Sequence, residues 1–229
     1  MAHLEVLSGN GPRAAVRALC AEFARATGHA VDVALDVNPE VVRRGIAGEA
    51  FDVVVGNPST IEQLITAGKV VPGSRRDIGH SGLAVAVRSG APKPDISSVD
   101  AFKRTLLGAK AIAYPGKGAS GVYFVSLLDR LGIKAAMQSK LKPMAAEDTV
   151  EVVARGEADM VVVVATRIAG VPGVDVVGQI PEQLQTKIGF AAGLSTAAKQ
   201  SEPAKALIQF LSAPSAAATL RAKGVEPAS

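Results

Sequence analysis

The chain has 229 residues, of which 48% are hydrophobic and 20% charged, a globular composition that excludes a disordered protein and is long enough for one large domain or two small ones. No apolar run approaches the roughly 18 residues that a membrane span needs. Aromatic residues make up only 3% and Trp is absent, and the net charge of +4 includes no basic block longer than Arg43-Arg44 or Arg75-Arg76. Stacking platforms and basic patches for nucleic acid are therefore lacking, whereas a small anion is an electrostatically reasonable partner.

Leu4 to Leu7 reads as a short strand. Ser8-Gly9-Asn10-Gly11-Pro12 follows as a turn with Pro12 suited to the first helical position, and Val16, Leu19, Cys20 and Phe23 then recur at helical spacing. Cys20 falls on the buried face of that helix and reads as a small core hydrophobe; a single cysteine cannot form an internal disulfide. Ala30 to Leu35 alternates as a strand, and Asn38-Pro39-Glu40 opens a helix carrying Val41, Val42 and Ile46. Phe51 to Val55 is a near-continuous apolar run suited to a parallel strand covered on both faces, and Gly56-Asn57-Pro58-Ser59 ends it and starts a helix with Ile61, Leu64 and Ile65. Strands alternating with helices give a parallel sheet with right-handed crossovers. Ligands on such sheets lie at the carboxyl ends of the strands, where Ser8, Asn10, Asn38 and Asn57 fall.

Residues 69–95 change character: Pro72, Gly73, Arg75 and Arg76 are loop-like, Gly82 to Val87 is a strand, and Gly90-Ala91-Pro92-Lys93-Pro94 is a turn. Here the chain is expected to cross into a second lobe. The division expected is residues 1–82 with 190–229 in lobe 1 and residues 83–189 in lobe 2. Lobe 2 opens with a helix over Val99 to Leu107, then a short apolar run, Ala111 to Tyr114, and the glycine-rich turn Gly116-Lys117-Gly118-Ala119-Ser120-Gly121. Val122, Val125, Leu128 and Leu131 lie on one side of the helix after it. A turn of this kind aims free backbone N–H groups and the positive end of a helix dipole at whatever lies above it, which suits an anion. It lacks the terminal Lys-Ser/Thr of a nucleotide-binding P-loop and the full glycine spacing of a dinucleotide fingerprint. Asp148 to Ala154 reads as a helix, Met160 to Val164 as a strand, and Lys187 to Leu194 as the strand of the return crossing. Helices over Glu202 to Leu211 and Ser215 to Lys223 then pack back on lobe 1. The turns at Ser8 and Ser120 are expected to face each other across one cleft.

Several residues carry two readings. Ser8 and Asn10 serve either as helix caps or as ligand donors. Ser81 is either a cleft residue or a plain strand-edge serine, and Arg167 either a solvated surface charge or a ligand contact. Glu147 and Asp148 either complement a helix dipole or act as catalytic carboxylates, the first being the expectation. His3, His29 and His80 have no ligand spacing, so no metal site is expected, and no Ser-His-acid or Cys-His arrangement points to nucleophilic catalysis.

The order of elements, together with Gly118-Ala119-Ser120-Gly121-Val122-Tyr123, Ala146-Glu147-Asp148-Thr149, Phe210-Leu211-Ser212-Ala213-Pro214 and Lys223-Gly224-Val225, resembles the type 2 periplasmic solute-binding proteins. Within that group the chain is similar to the molybdate-binding proteins of ABC importers, over essentially its whole length. The resemblance implies a two-lobed α/β fold, each lobe a mostly parallel sheet flanked by helices, joined by a two-strand hinge. It also implies an oxyanion held by hydroxyls and backbone amides from both lobes, without metal or cofactor. Carried over by position, the contacts are Ser8, Asn38 where the family has a serine, Ser120 and Thr149, to which the neighbouring turn and strand-end residues Gly9, Asn10, Asn57, Ser81 and Gly121 are added.

Two positions depart from the family. Val164 stands in place of a tyrosine and Arg167 in place of an acidic residue. Losing a hydroxyl donor and gaining a guanidinium fork shifts the expected ligand from molybdate towards a small organic carboxylate. The expected function is capture of a small anion, an organic carboxylate or a molybdate-like oxyanion, for the membrane subunits of an ABC importer, by a monomer. Its expected place is the periplasm, as a mature form from which an export signal has been removed, with the cytoplasm as the other location. The alternative is a metal-independent isomerase of a small polycarboxylate, similar to aconitate isomerase, in which Glu147 or Lys117 shuttles a proton beside a carboxylate held by Arg167.

Overall fold

The computed structural model describes residues 1–145 and 147–228; Ala146, quoted above for the resemblance, lies outside the described residues. The chain divides into two compact units, Met1–His80 with Gly189–Ser229, and Ser81–Ile188, so it passes between them twice. In chain order the first unit holds β1 (His3–Gly9), α1 (Arg13–Thr27), β2 (Ala30–Asp36), α2 (Asn38–Ile46), β3 (Val53–Gly56) and α3 (Pro58–Thr66), and β4 (Arg76–Ser81) leads out of it. The second unit holds β5 (Leu83–Arg88), α4 (Val99–Gly108), β6 (Ile112–Pro115), α5 (Ala119–Arg130), α6 (Lys134–Met137), β7 (Leu141–Met144), α7 (Glu151–Ala154), β8 (Met160–Val164) and β9 (Val174–Gln179). The chain returns through β10 (Ile188–Leu194) and ends with α8 (Ser201–Ser212), α9 (Ala217–Ala222) and β11 (Glu226–Pro227).

The first unit is built on a sheet ordered β11-β4-β10-β3-β1-β2. β1 runs parallel to both β2 and β3, whereas β10 is antiparallel to β3 and β11 antiparallel to β4. Val53 to Gly56 are all buried, as their unbroken apolar run requires of a strand covered on both faces. On one face Leu7, Val41, Phe51, Val54, Ile61 and Leu64 form a core with α2 and α3. Each such side chain contributes about 1.5–3 kcal/mol relative to exposure. Prolines at the starts of α2 and α3 supply the preset φ that nucleates each helix, and Gly28, at φ 74°, ends α1 in the left-handed region. The C-terminal helices pack on α1: Phe23 and Phe210 meet edge to face at 5.6 Å, and Thr219 donates to Glu22 at 2.9 Å. Asp52, only 4% exposed, receives the Glu5 and Lys199 amides at 2.9 and 2.8 Å and ties β1 to the loop before α8.

The second unit has the sheet order β7-β6-β8-β5-β9, with β6 parallel to β7 and β8, and β5 antiparallel to β8 and β9. Leu83, Val85 and Val87 share the face of β5 that packs with Phe102, Leu106, Phe124, Leu127 and Met137 from α4, α5 and α6. The two-residue period puts alternate side chains on this core.

The helix read over Asp148 to Ala154 begins only at Glu151; residues 147–150 form a turn. The Thr149 hydroxyl donates to the Ala145 carbonyl at 2.7 Å, one of the local side-chain bonds that compete with a regular helical start. Four strands, β4, β7, β9 and β11, and the short α6 carry too little periodicity to be read from the sequence.

Candidate functional site

In the first unit the carboxyl ends of β1 and β3 and the start of α2 bring Gly9, Asn38 and Asn57 together. Asn38 Nδ2 donates to Asn57 Oδ1, and Asn57 Nδ2 donates to the Gly189 carbonyl at 2.8 Å. Asn38 Oδ1 lies against Gly9 and 3.0 Å from where a Cβ on Gly56 would stand; a Cβ on Gly9 would overlap it. Both positions need glycine for the amide to fit. Ser8 is fully buried beneath them, its hydroxyl donating to the Gly9 carbonyl at 3.0 Å. Asn10 is partly exposed; its backbone N–H reaches the Asp36 carbonyl at 2.7 Å, and its side chain makes no hydrogen bond among the described residues.

The capping reading of Ser8 and Asn10 is set aside. The residue before α1 is Pro12, and no side chain caps that helix. Asn57 precedes α3 without capping it, because its amide is committed to Asn38 and Gly189.

In the second unit the glycine-rich turn opens α5. Its first intrahelical bond runs from the Val122 N–H to the Gly118 carbonyl at 3.0 Å, so the N–H groups of Ala119, Ser120 and Gly121 precede the helical ladder. Ser120 is 5% exposed, and its hydroxyl has no hydrogen-bond partner among the described residues. A Cβ on Gly121 would overlap the Pro115 carbonyl oxygen, so only glycine lets the end of β6 approach the helix this closely. No Asp or Glu stands in the first turns of α1, α3 or α5, which leaves the positive ends of those helix dipoles uncompensated.

Arg167 is 4% exposed at the end of a 3-10 turn, Ala165–Arg167, directly after β8. The solvated-surface reading of this residue is therefore corrected: its guanidinium is held in the interior. Leu83 pairs with Val164, and the Ala165 N–H donates to the Gly82 carbonyl at 2.9 Å, so this turn sits beside the start of β5, next to Ser81. Ser81 is 2% exposed, with its hydroxyl 3.5 Å from the Gly82 carbonyl, too long for a strong bond. Thr149 is fully buried and committed to Ala145. Ser120, Ser81 and Thr149 come from separate elements and share no hydrogen bond among the described residues. Asp148 is taken by Arg155 through bonds of 2.7 and 3.1 Å, and that guanidinium holds its carboxyl below the usual range. Asp148 is consequently a poor proton acceptor.

Two residues escaped the sequence reading. Gln185 binds both backbone groups of Leu83, and Tyr123 binds the chain at Leu184. A glutamine in a loop has no sequence signal for such a role; the tyrosine was visible within the glycine-turn motif, but not its partner 61 residues away.

A sequence profile described as bacterial extracellular solute-binding protein matches residues 4–226. An aconitate isomerase from a Pseudomonas species is 36% identical over 230 residues, covering 98% of this chain and 87% of that protein. Among solved structures, the periplasmic molybdate-binding protein of Azotobacter vinelandii superimposes with a TM-score of 0.83 at 20% identity, covering 99% of this chain and 100% of that one. The sulfate-binding protein of Mycobacterium tuberculosis gives a TM-score of 0.79 at 18% identity, covering 99% and 87%. At these identities the solved structures share the fold.

Proposed function

The chain belongs to the family of bacterial extracellular solute-binding proteins, and on that premise we propose that it captures a small organic carboxylate. The observation that carries this reading is the first turn of α5: three N–H groups outside the helical ladder, a serine hydroxyl without a partner among the described residues, and no acidic residue nearby in the turn. These are donors without competing acceptors, which is what an anion needs. The buried guanidinium of Arg167 supports a carboxylate over a tetrahedral oxyanion, because its planar fork matches two carboxylate oxygens. Asn10 adds an amide donor from the first unit, and Asn38 keeps one amide N–H beyond the one given to Asn57. The two units close on the ligand by rotation at the chain crossings, in the periplasm, and the closed protein delivers it to the membrane subunits of an ABC importer.

A second reading is favoured by one observation, the 36% identity to an aconitate isomerase over nearly the whole of both chains. On this reading the bound carboxylate is a substrate. One carbon-bound proton is removed from one end of an allylic system and a proton is returned at the other, exchanging with solvent while the base holds it, with no net oxidation. Glu147 and Lys117, both exposed, are the groups available to carry it, since Asp148 is held by Arg155.

Titration calorimetry against molybdate, sulfate and a panel of di- and tricarboxylates tests capture: carboxylate binding is the expected result, and binding of molybdate or sulfate alone overturns it. NMR of the same carboxylates in deuterated water separates the readings. Deuterium incorporation with double-bond migration establishes the isomerase, and an unchanged spectrum of a bound ligand establishes the binding protein.

A further inference from the structure

The geometry points to Tyr123 and Gln185 as positioning residues: together they brace the two segments by which the chain enters and leaves the second unit against α5, the helix that carries Ser120. The brace is built from the side chains of Gln185, Tyr123 and Arg130. Gln185 Oε1 accepts the Leu83 N–H at 2.7 Å and Gln185 Nε2 donates to the Leu83 carbonyl at 2.8 Å. The amide thus gives the Leu83 N–H its acceptor and adds a second donor to the Leu83 carbonyl, which also accepts the Ile180 N–H at 3.1 Å. It does so at the end of the ladder between β5 and β9, whose last paired residues are Ala84 and Gln179. Leu83 stands just after the first chain crossing, and Gln185 just before the second.

Tyr123 joins this clamp to the helix. Its hydroxyl donates to the Leu184 carbonyl at 2.9 Å, with the Gln185 carbonyl at 3.2 Å sharing the proton, and it accepts from Arg130 Nη1 at 3.1 Å. Accepting from a guanidinium makes the hydroxyl a stronger donor. Tyr123 is three residues from Ser120, which makes the two neighbours along α5. A continuous path of hydrogen bonds and one helix turn therefore runs from Ser120 to both crossing segments.

Such a brace has a physical advantage over a regular ladder at a hinge. Strand hydrogen bonds are fixed by two backbones and break when one rotates, whereas a glutamine amide on rotatable χ angles can follow Leu83 without losing either bond. Closing the units on a ligand at the Ser120 turn would then be coupled to the angle at which both segments leave the second unit. This coupling rests on the capture reading; the brace itself does not.

The test uses the full chain with paired spin labels at Gln63→Cys in the first unit and Arg104→Cys in the second, both exposed; the buried native Cys20 stays unlabelled. Three changes attack the brace differently. Tyr123→Phe keeps the ring and loses the hydroxyl, Gln185→Ala removes the amide, and Gly82→Ala places a methyl 2.8 Å from the amide of Gln185 and displaces it. In the absence of ligand, each variant should widen the distribution of label distances about twofold relative to the parent. With a bound carboxylate, the dissociation rate should rise about five- to tenfold while association changes little. Unchanged distance distributions in all three folded variants would overturn the brace. Tyr123→Phe decides alone if the other two fold poorly. Failure of the parent to bind any carboxylate would instead overturn the capture reading and leave the ligand-free widths as a test of the brace.

Discussion

The Asn57 side-chain amide donates to the backbone carbonyl of Gly189 at 2.8 Å, across 132 residues of chain. A carbonyl can only accept, so this bond fixes which end of the Asn57 amide is nitrogen. Asn57 Oδ1 must then receive a donor, which fixes Asn38 in turn, with its Nδ2 towards Asn57 and its Oδ1 turned towards Gly9. That oxygen is buried and has no hydrogen-bond partner among the described residues. The polarity of Asn38, a proposed ligand contact, is thus set by a backbone group beside the second chain crossing.

Asn57→Asp keeps the shape and removes the donor, setting a carboxylate against the Gly189 carbonyl. At neutral pH it should lower stability by about 1–3 kcal/mol, the cost of an unmade buried hydrogen bond. The folded state favours the neutral, donating form of the introduced carboxyl, so its pKa is raised there. The variant should consequently recover stability as pH falls and lose it as pH rises through that raised pKa. Denaturant unfolding of parent and variant at several pH values checks this, and a pH-independent gap would contradict the donor assignment.

Ser120→Ala removes a hydroxyl that holds no structural hydrogen bond among the described residues, so the fold should be unaffected. If the hydroxyl donates to a charged ligand, affinity should fall by about 1.5–3 kcal/mol. Calorimetry of both proteins reads the difference directly, and equal affinity would remove Ser120 from the ligand contacts.

Arg167→Lys keeps the charge and loses the planar fork. A carboxylate held bidentately should bind at least about tenfold more weakly, with tetrahedral oxyanions less affected. Because Arg167 is buried, the unfolding midpoint of the variant must be measured alongside. Carboxylate binding at parental affinity in a folded Arg167→Lys protein would return the residue to a structural role.

Cys20 is buried on α1, and burial pushes its thiol up to about 12 from an ordinary 9.0. The thiolate is the reactive form, so the folded protein should resist thiol reagents at pH 8, and reaction should appear only on unfolding. A raised folded pKa contributes stability that is complete below the unfolded value and is lost as pH rises between the two values. Cys20→Ala should therefore flatten the decline in stability above pH 9. Rapid labelling of the native thiol would show that α1 opens far more readily than its packing suggests.

Much of this could be read from local sequence. Unbroken or alternating apolar runs fix β1, β2, β3 and β8, and the proline openings of α2 and α3 and the glycine-rich entry to α5 are equally plain, because strand burial, helix initiation and positive helix ends act over a few residues. The strands that were not legible are those whose pairing partners define them. β7 carries Pro143 and lies at a sheet edge, β9 occupies the opposite edge, and β4, Arg-Asp-Ile-Gly-His-Ser, is polar until its neighbours β10 and β11 enclose it.

The candidate site residues divide along the same line. Ser120, Gly121, Asn38 and Asn57 could be named from the chain because a strand-to-helix turn places them at the carboxyl edge of a sheet wherever such a fold forms. Their commitments could not be named. Only the tertiary structure decided that Ser8 and Thr149 spend their hydroxyl protons on Gly9 and Ala145, that Arg167 is interior, and that Asn57 and Gln185 hold the segments beside the crossings. The Asn57 and Gln185 bonds join residues 132 and 102 positions apart, and no short-range pattern encodes which distant carbonyl an amide will meet. The local Ser8 and Thr149 hydroxyls choose among several nearby acceptors only once packing fixes the backbone around them.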